Sequence, residues 1–324
     1  MAEAASFDDI VSAAEQIRGA AVETPLLRND ALDEATGARV WVKAECLQRT
    51  GSFKFRGAYN RISRLTAEER ARGVVAYSSG NHAQAVAFAA RLVGAQALIV
   101  MPADAPKVKA AQTAAYGAEV VFYDRASESR EEIAEAIRQE RNAVLVRPFD
   151  DPLIIAGQGT AGLEAARQLE GRGERADLLL CPASGVGLIA GISLAFEALS
   201  PETRIYAVEP EGYEDTRMSL EQGRRVTVKP ERTSLCDALL TTMPGELTFP
   251  INQRRLSGAL AVSDAEALRA TAFAAAHLKL VVEPGGAVPL AALLNRRIDA
   301  AGRTVLLIAS GGNIDPALLA RALG

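Results

Sequence analysis

GVVAYSSGNHAQAVAFAARLVGAQALIVMP, residues 73–102, reads as two apolar runs flanking an alanine-rich segment. GVVAYSS (73–79) and QALIVMP (96–102) have strand length, and AQAVAFAARLVG between them has helical periodicity. The pattern continues with AEVVFYD (118–124) and AVLVRPF (143–149), with the helical stretch ESREEIAEAIRQE between them. A second series follows: DLLLCPA (177–183), RIYAVEP (204–210), GALAVSD (258–264) and TVLLIAS (304–310). Strands alternating with helices predict an α/β fold with open, mostly parallel twisted sheets. Two such series in one chain predict two lobes.

Composition narrows the function classes. Of 324 residues, 49% are hydrophobic and the net charge is -4, which excludes a disordered chain. No run of eighteen apolar residues occurs, so no membrane-spanning helix is expected. The absence of a basic run argues against nucleic acid as a partner. The segment MAEAASFDDIVSAAEQIRGA is acidic and reads as an amphipathic helix rather than a signal peptide. Cys46, Cys181 and Cys236 are odd in number and widely spaced, which fits a reducing, cytoplasmic setting. With only His82 and His277, a histidine-rich metal site is excluded.

Each strand run ends in small or polar residues: SSGN after 77, CPASGVG after 180, VEPEGYED after 207 and SGGN after 309. Ligands of open α/β sheets collect at such carboxyl ends, although the same letters also suit ordinary βα turns. Lys54, in QRTGSFKFRGA (48–58), lies between two phenylalanines and beside Arg56 where a helix opens. Desolvation and a neighbouring cation both disfavour an ammonium, leaving an amine able to form a Schiff base. The spacing is equally that of a surface lysine flanked by core aromatics. Ser184-Gly185-Val186-Gly187-Leu188 follows a strand and precedes an apolar helix, so its N–H groups suit an anion, as they would a tight turn. GQGTAG (157–162) matches the letters GxGxxG but follows only the short run LIIA and the turn-forming Asp150-Asp151-Pro152. It reads as a closely packed helix start and not as a dinucleotide fingerprint.

Taken together, TGSFKFRGA, SSGNHAQ (78–84), DDPLIIAGQGT (150–160), SGVGL and SGGN resemble the fold type II pyridoxal-phosphate enzymes. Within them the chain is similar to the branch of serine/threonine dehydratases, serine racemase and 3-hydroxyaspartate dehydratases. The resemblance runs from about Thr24 to the C-terminus. It implies a large cofactor-binding domain of residues 1–71 and 151–324, a small domain of 72–150, and an active site in the cleft between them. It further implies a homodimer and a small amino-acid substrate.

Carried over residue by residue, the resemblance makes Lys54 the lysine covalently joined to pyridoxal 5'-phosphate and the base on one face of the substrate. Phe53 packs on the cofactor ring, Asn81 hydrogen-bonds its phenolic oxygen, and Ser184, Gly185, Val186, Gly187 and Leu188 hold its phosphate. Val186 stands where the family often has glycine, so its backbone is expected to avoid glycine-only conformations. Ser310 faces the pyridine nitrogen, where a neutral hydroxyl makes the ring a weaker electron sink suited to elimination. Ser78, Ser79, Asn81 and His82 grip the substrate α-carboxylate. Ser79 also matches the acid/base serine of serine racemase, and His82 is given no acid/base role.

Glu209, Tyr213 and Asp215 match the racemase-like pattern for a divalent cation, Mg²⁺, Mn²⁺ or Ca²⁺; a solvated acidic loop is the other reading. Arg130 matches the arginine that reaches a second carboxylate, and a guanidinium pairs bidentately with such a group. It is also the residue type of an exposed helix start among Glu128, Glu131 and Glu132. Thr241 falls where the family places a hydroxyl near substrate. The expected activity is elimination of water from a β-hydroxy amino acid, foremost 3-hydroxyaspartate, with serine and threonine as further substrates. Racemisation with side elimination and a non-catalytic small-molecule binder are the alternatives.

Overall fold

The computed structural model describes residues 4–78, 80–105 and 107–324. Its strands are β1 (Leu26–Arg28), β2 (Arg39–Lys43), β3 (Val74–Tyr77), β4 (Ala97–Pro102), β5 (Glu119–Tyr123), β6 (Val144–Leu145), β7 (Leu178–Pro182), β8 (Arg204–Pro210), β9 (Leu256–Val262) and β10 (Thr304–Ile308). They form a four-stranded sheet of order β5-β4-β3-β6 and a six-stranded sheet of order β1-β2-β10-β7-β8-β9. All pairings are parallel except β1 with β2. The first series of apolar runs thus forms one sheet, and the second series joins two N-terminal strands in the other.

Both sheets are covered on both faces, which explains why their strands read as continuous apolar runs rather than alternating ones. Leu178 and Leu180 pack into a cluster with Val305 and Leu307, while Leu179 and Cys181 face a separate cluster with Leu306 and Ile308. In the smaller sheet Val74, Ala76, Ile99 and Met101 share one face, and Val75, Leu98 and Val100 the other. The three cysteines are free and buried.

Two departures from the sequence pattern have local causes. β6 is much shorter than AVLVRPF suggests. The backbone N–H of Val146 still bonds Val75 O, but Pro148 has no N–H to extend the ladder. β2, RVWVK, carries charges at both ends, and the Lys43 side chain is buried in an ion network instead of facing water.

GQGTAG lies inside the helix Pro152–Glu170, whose N-cap Asp151 accepts from the N–H groups of Leu153 and Ile154. The helix therefore begins five residues before Gly157, and the glycines serve packing. A methyl on Gly157 would come within 2.6 Å of Gly57 Cα, and one on Gly162 within 2.9 Å of Ile192 Cα. Three helices, Lys54–Ile62, Pro152–Glu170 and Gly187–Leu199, thus meet almost backbone to backbone. That contact fixes the starts of the first and third against each other.

Candidate active site

The segment before Lys54 is stitched to the carboxyl end of β10. Thr50 and Gly51 take left-handed backbone (φ 61° and 73°), Ser52 bridges Gly311, and Phe53 N–H donates to Ser310 O at 3.1 Å. This carries Lys54 to the mouth of the sheet as its helix begins. Lys54 Nζ donates to the Pro148 carbonyl at 2.6 Å and lies 5.1 Å from the centre of the Phe53 ring. Burial lowers its pKa to about 8, so on the order of a tenth of the amine is neutral at pH 7. Arg56 contributes nothing to this shift, contrary to the sequence expectation. Two residues along a helix is a turn of about 200°, and Arg56 points away into the core.

Arg56 is fully buried there. Its Nε and Nη2 donate to Glu45 at 2.7 and 2.9 Å, and its Nη1 and Nη2 to Glu164 at 2.6 and 2.7 Å. Burial would lower its pKa, but Glu45 and Glu164 outweigh that and raise it.

Opposite Lys54, the turn after β3 leads into the helix Asn81–Val93. Ser78 Oγ accepts from Gly80 N–H at 3.2 Å, and Ser79 lies outside the described residues. Asn81 is held at both ends of its amide: Nδ2 donates to Glu283 Oε1 at 2.5 Å, and Oδ1 accepts from Asn313 Nδ2 at 2.7 Å. His82 Nε2 lies 3.0 Å from Val146 O and donates to it, leaving Nδ1 buried without a partner. Burial, then the charge of Lys54, pushes His82 down to about 3, so its ring is neutral.

The third wall is the turn 184–188. Val186 sits at φ 55°, ψ 20°, in the left-handed region, which overturns the expectation that a valine here would avoid it. Such a conformation costs a β-branched residue of order 1–3 kcal/mol and persists only where the surroundings impose it. They do so here. Thr248 Oγ1 donates to Gly185 O at 2.9 Å and Asn252 Nδ2 to Val186 O at 3.0 Å, while the Phe149 ring occupies the space a side chain at 185 would need. With its carbonyls held from outside, the turn presents N–H groups inward. The first intrahelical bond runs from Ala190 N–H to Val186 O, so the N–H groups before it are open to an anion. Ser184 Oγ accepts from the Thr241 N–H at 3.1 Å, so Thr241 meets this turn through its main chain. Ser310, 5% exposed, stands at the end of β10.

These contacts link the walls to one another. Lys54 touches Pro148; the next residue, Phe149, lies under Gly185; Phe53 bonds Ser310; and Gly311 abuts Asn81 and Glu283. A lowered lysine, an anion-binding turn and a single hydroxyl at a strand end form one cradle, and the donor set fits pyridoxal phosphate. Residues 17–311 match the family model described as pyridoxal-phosphate dependent enzyme. The chain belongs to that family. It is 45% identical to the L-threo-3-hydroxyaspartate ammonia-lyase of Pseudomonas sp over 310 residues, covering 96% of each chain. It is 38% identical to the serine racemase of Schizosaccharomyces pombe, covering 96% of this chain and 94% of that one. Among solved structures it resembles maize serine racemase, with a TM-score of 0.92 and 36% identity over 99% of this chain and 97% of that one.

In this pyridoxal-phosphate enzyme, Arg130 begins the helix Arg130–Arg141, near the turn after β3. Its Nε donates to the adjacent Glu131 at 2.7 Å, and its guanidinium lies 5.5 Å from the Tyr77 ring, with the side chain 45% exposed. It is therefore beside the turn but engaged by its own neighbour. Three ionisable side chains that the sequence reading gave no role also lie near the cleft. Glu283 is buried at the foot of Asn81, and Lys109 forms an ion pair with Asp237 across the cleft. The available signal for Glu283 was a lone acid in the apolar run LVVEPGGAVPLAALL.

Away from the cradle, Glu209 on β8 accepts from the N–H groups of Thr216 (2.7 Å) and Arg217 (3.0 Å), while both Asp215 oxygens are buried without partners. Burial raises Glu209 to about 7; burial and then Glu209 raise Asp215 to about 9. Tyr213 is buried beside them. Among the described residues no group of three His, Cys, Asp or Glu side chains is poised for a metal. Glu209, Tyr213 and Asp215 are buried, whereas Glu211 and Gly212 at the tip of the segment are exposed. Also among the described residues, no helix is long and apolar enough to cross a membrane.

Proposed function

We propose that this enzyme is an ammonia-lyase that converts a β-hydroxy amino acid to a 2-oxo acid and ammonia, with 3-hydroxyaspartate its foremost substrate. The reading is supported by Lys54 and the 184–188 turn meeting through the neighbouring residues Pro148 and Phe149, in a chain 45% identical to a 3-hydroxyaspartate ammonia-lyase. Lys54, Phe53, Asn81, Ser184–Leu188 and Ser310 would hold pyridoxal phosphate. When bound, it supplies an electron sink for the substrate Cα.

The chain's own residues supply the rest. Lys54 Nζ, with its lowered proton affinity, takes the Cα proton. The helix N-terminus at Asn81 and the Ser78–His82 turn orient the α-carboxylate. Ser310, a neutral hydroxyl, leaves the ring nitrogen without a charged partner. Loss of the β-hydroxyl as water, followed by hydrolysis, gives oxaloacetate from hydroxyaspartate, pyruvate from serine and 2-oxobutanoate from threonine. Arg130 would take the second carboxylate after exchanging Glu131 for it, and Thr241 would line the same space. The four-stranded sheet region, 72–150, would act as the small domain that closes on the remainder.

Racemisation is the second reading. Ser79 matches the acid/base serine, and a serine racemase is 38% identical. A steady-state panel over both serine enantiomers, threonine and all four 3-hydroxyaspartate isomers, assaying oxo acid and inverted amino acid, separates the two. Fastest elimination from a hydroxyaspartate isomer supports the lyase reading, whereas inversion exceeding elimination defeats it.

Glu209, Asp215 and the Tyr213 segment would hold a divalent cation, because two adjacent buried carboxyls, of which Asp215 has both oxygens without a partner, are stable together when a cation neutralises them. Added Mg²⁺, Mn²⁺ or Ca²⁺ should raise Tm by several degrees in the native protein and not in Asp215→Ala. Equal responses would remove the site.

A further inference from the structure

We propose that Glu283 is a positioning residue for the cofactor: it fixes which way the Asn81 amide faces. The inference rests on Asn81 serving the cofactor, as read above. Glu283 caps the helix Pro284–Leu294 and is 2% exposed. Its own N–H donates to Gly311 O at 3.0 Å, and its carbonyl accepts from Gly286 and Ala287 at 2.9 and 3.0 Å, so its backbone cannot drift. Oε1 accepts from Asn81 Nδ2 at 2.5 Å, while Asn313 Nδ2 donates to Asn81 Oδ1 at 2.7 Å. Turning the amide over would break both bonds and set the Asn81 oxygen against a carboxyl oxygen. An amide nitrogen has two N–H groups. With Glu283 taking one, the other is held for whatever occupies the cradle.

Glu283 Oε2 is buried and has no protein partner. Gly311, beside it, has no room for a side chain, because one would collide with Oε1. The carboxyl therefore closes one wall of the site with a free oxygen, in contact with the only residue between Ser310 and Gly312. Four ionisable side chains act on it or respond to it: Asp237 and Lys109, and the buried thiols Cys46 and Cys236. Burial, then Asp237, pushes Glu283 up to about 7, while Lys109 and the Asn81 hydrogen bond oppose the rise. Neither thiol is charged near neutrality, each being pushed up to about 12 mainly by burial. The ion pair thus biases Glu283 from both sides, and Oε1 accepts from Asn81 whether or not the carboxyl carries a proton.

The test is the visible absorption of bound pyridoxal phosphate in the holoenzyme, followed from pH 5.5 to 9. Native protein should show an inflection near the Glu283 value. Glu283→Gln keeps an acceptor for Asn81 and should lose the inflection while still binding the cofactor. Glu283→Leu should lose about tenfold in kcat at every pH, because the amide is no longer held. Lys109→Met should move the inflection up and Asp237→Asn should move it down, each by about half a pH unit.

A second readout needs no cofactor. Glu283 takes up its proton in the folded state above its ordinary pKa, so its ionisation weakens the apoprotein as pH rises toward 8. The Tm of Glu283→Gln relative to native apoprotein should therefore increase between pH 5 and 8. An identical inflection in native protein and Glu283→Gln, or shifts of one sign in Lys109→Met and Asp237→Asn, overturns the proposal. Failure of native protein to take up the cofactor would instead defeat the functional reading on which it rests.

Discussion

Lys54 and Arg56 are cations two residues apart on one helix, and their surroundings treat them oppositely. Lys54 faces the cleft, bonded to a single carbonyl, and burial makes its charge easy to lose. Arg56 faces the core, gripped by Glu45 and Glu164, with Thr24, Thr160 and the Val22 carbonyl completing its shell. Burial acts on both; what differs is whether carboxylates are there to offset it. A lysine destined to react must be desolvated and left unpaired, whereas an arginine destined to hold the fold must be paired on every side. The network that secures Arg56, which also includes Lys43, anchors the helix on which Lys54 sits.

The contrast can be broken at either residue. Lys54→Ala should leave a folded protein whose turnover falls by about 10⁴-fold, read by steady-state assay beside far-UV circular dichroism. Retained activity would end the assignment. Arg56→Met should do the reverse. By stranding the fully buried Glu45 carboxylate, and leaving the part-buried Glu164 with Lys43 alone, it should cost about 3–5 kcal/mol in urea unfolding, with specific activity of the surviving folded fraction largely kept. A stability loss under about 1 kcal/mol would show that the network is not what holds this helix.

The difference in proton affinity can also be measured directly. Only the neutral amine attacks an aldehyde, so the rate of cofactor capture by apoprotein should rise with pH and level off above about 8. A rise continuing to the ordinary lysine range near 10.5 would mean that Lys54 is solvated. The smallest expected effect tests a third cation. Arg130→Ala should lower kcat/KM for 3-hydroxyaspartate by about tenfold while changing that for serine less than about twofold. Equal losses on both would leave Arg130 as the exposed partner of Glu131 and nothing more.

The sequence made some of this plain and hid the rest for physical reasons. The runs that became β3, β4, β7, β8 and β10 stood out because strands buried on both faces must be apolar throughout. Lys54 stood out because its neighbours 50–58 form a dense local pattern. Arg56 was misread because the pattern shows adjacency but not direction, and its partner Glu164 lies 108 residues away. The Glu283–Asn81 bond spans 202 residues, and the Lys109–Asp237 pair 128. Such contacts exist only once two sheets have been brought together. Val186 escaped for a different reason. Composition says that valine shuns left-handed backbone, and nothing local announces that Thr248, Asn252 and Phe149 will force it there.

The backbone-to-backbone meeting of Gly57 with Gly157, and of Gly162 with Ile192, has a practical corollary for anyone wishing to reshape this catalyst. The rim at Ser78, Arg130 and Thr241 is open territory for directed evolution toward other side chains. The floor is not: one added carbon there would jack apart the elements carrying the amine and the anion-binding turn. Libraries that randomise the rim and freeze the glycines should therefore yield far more active clones than unbiased ones of equal size.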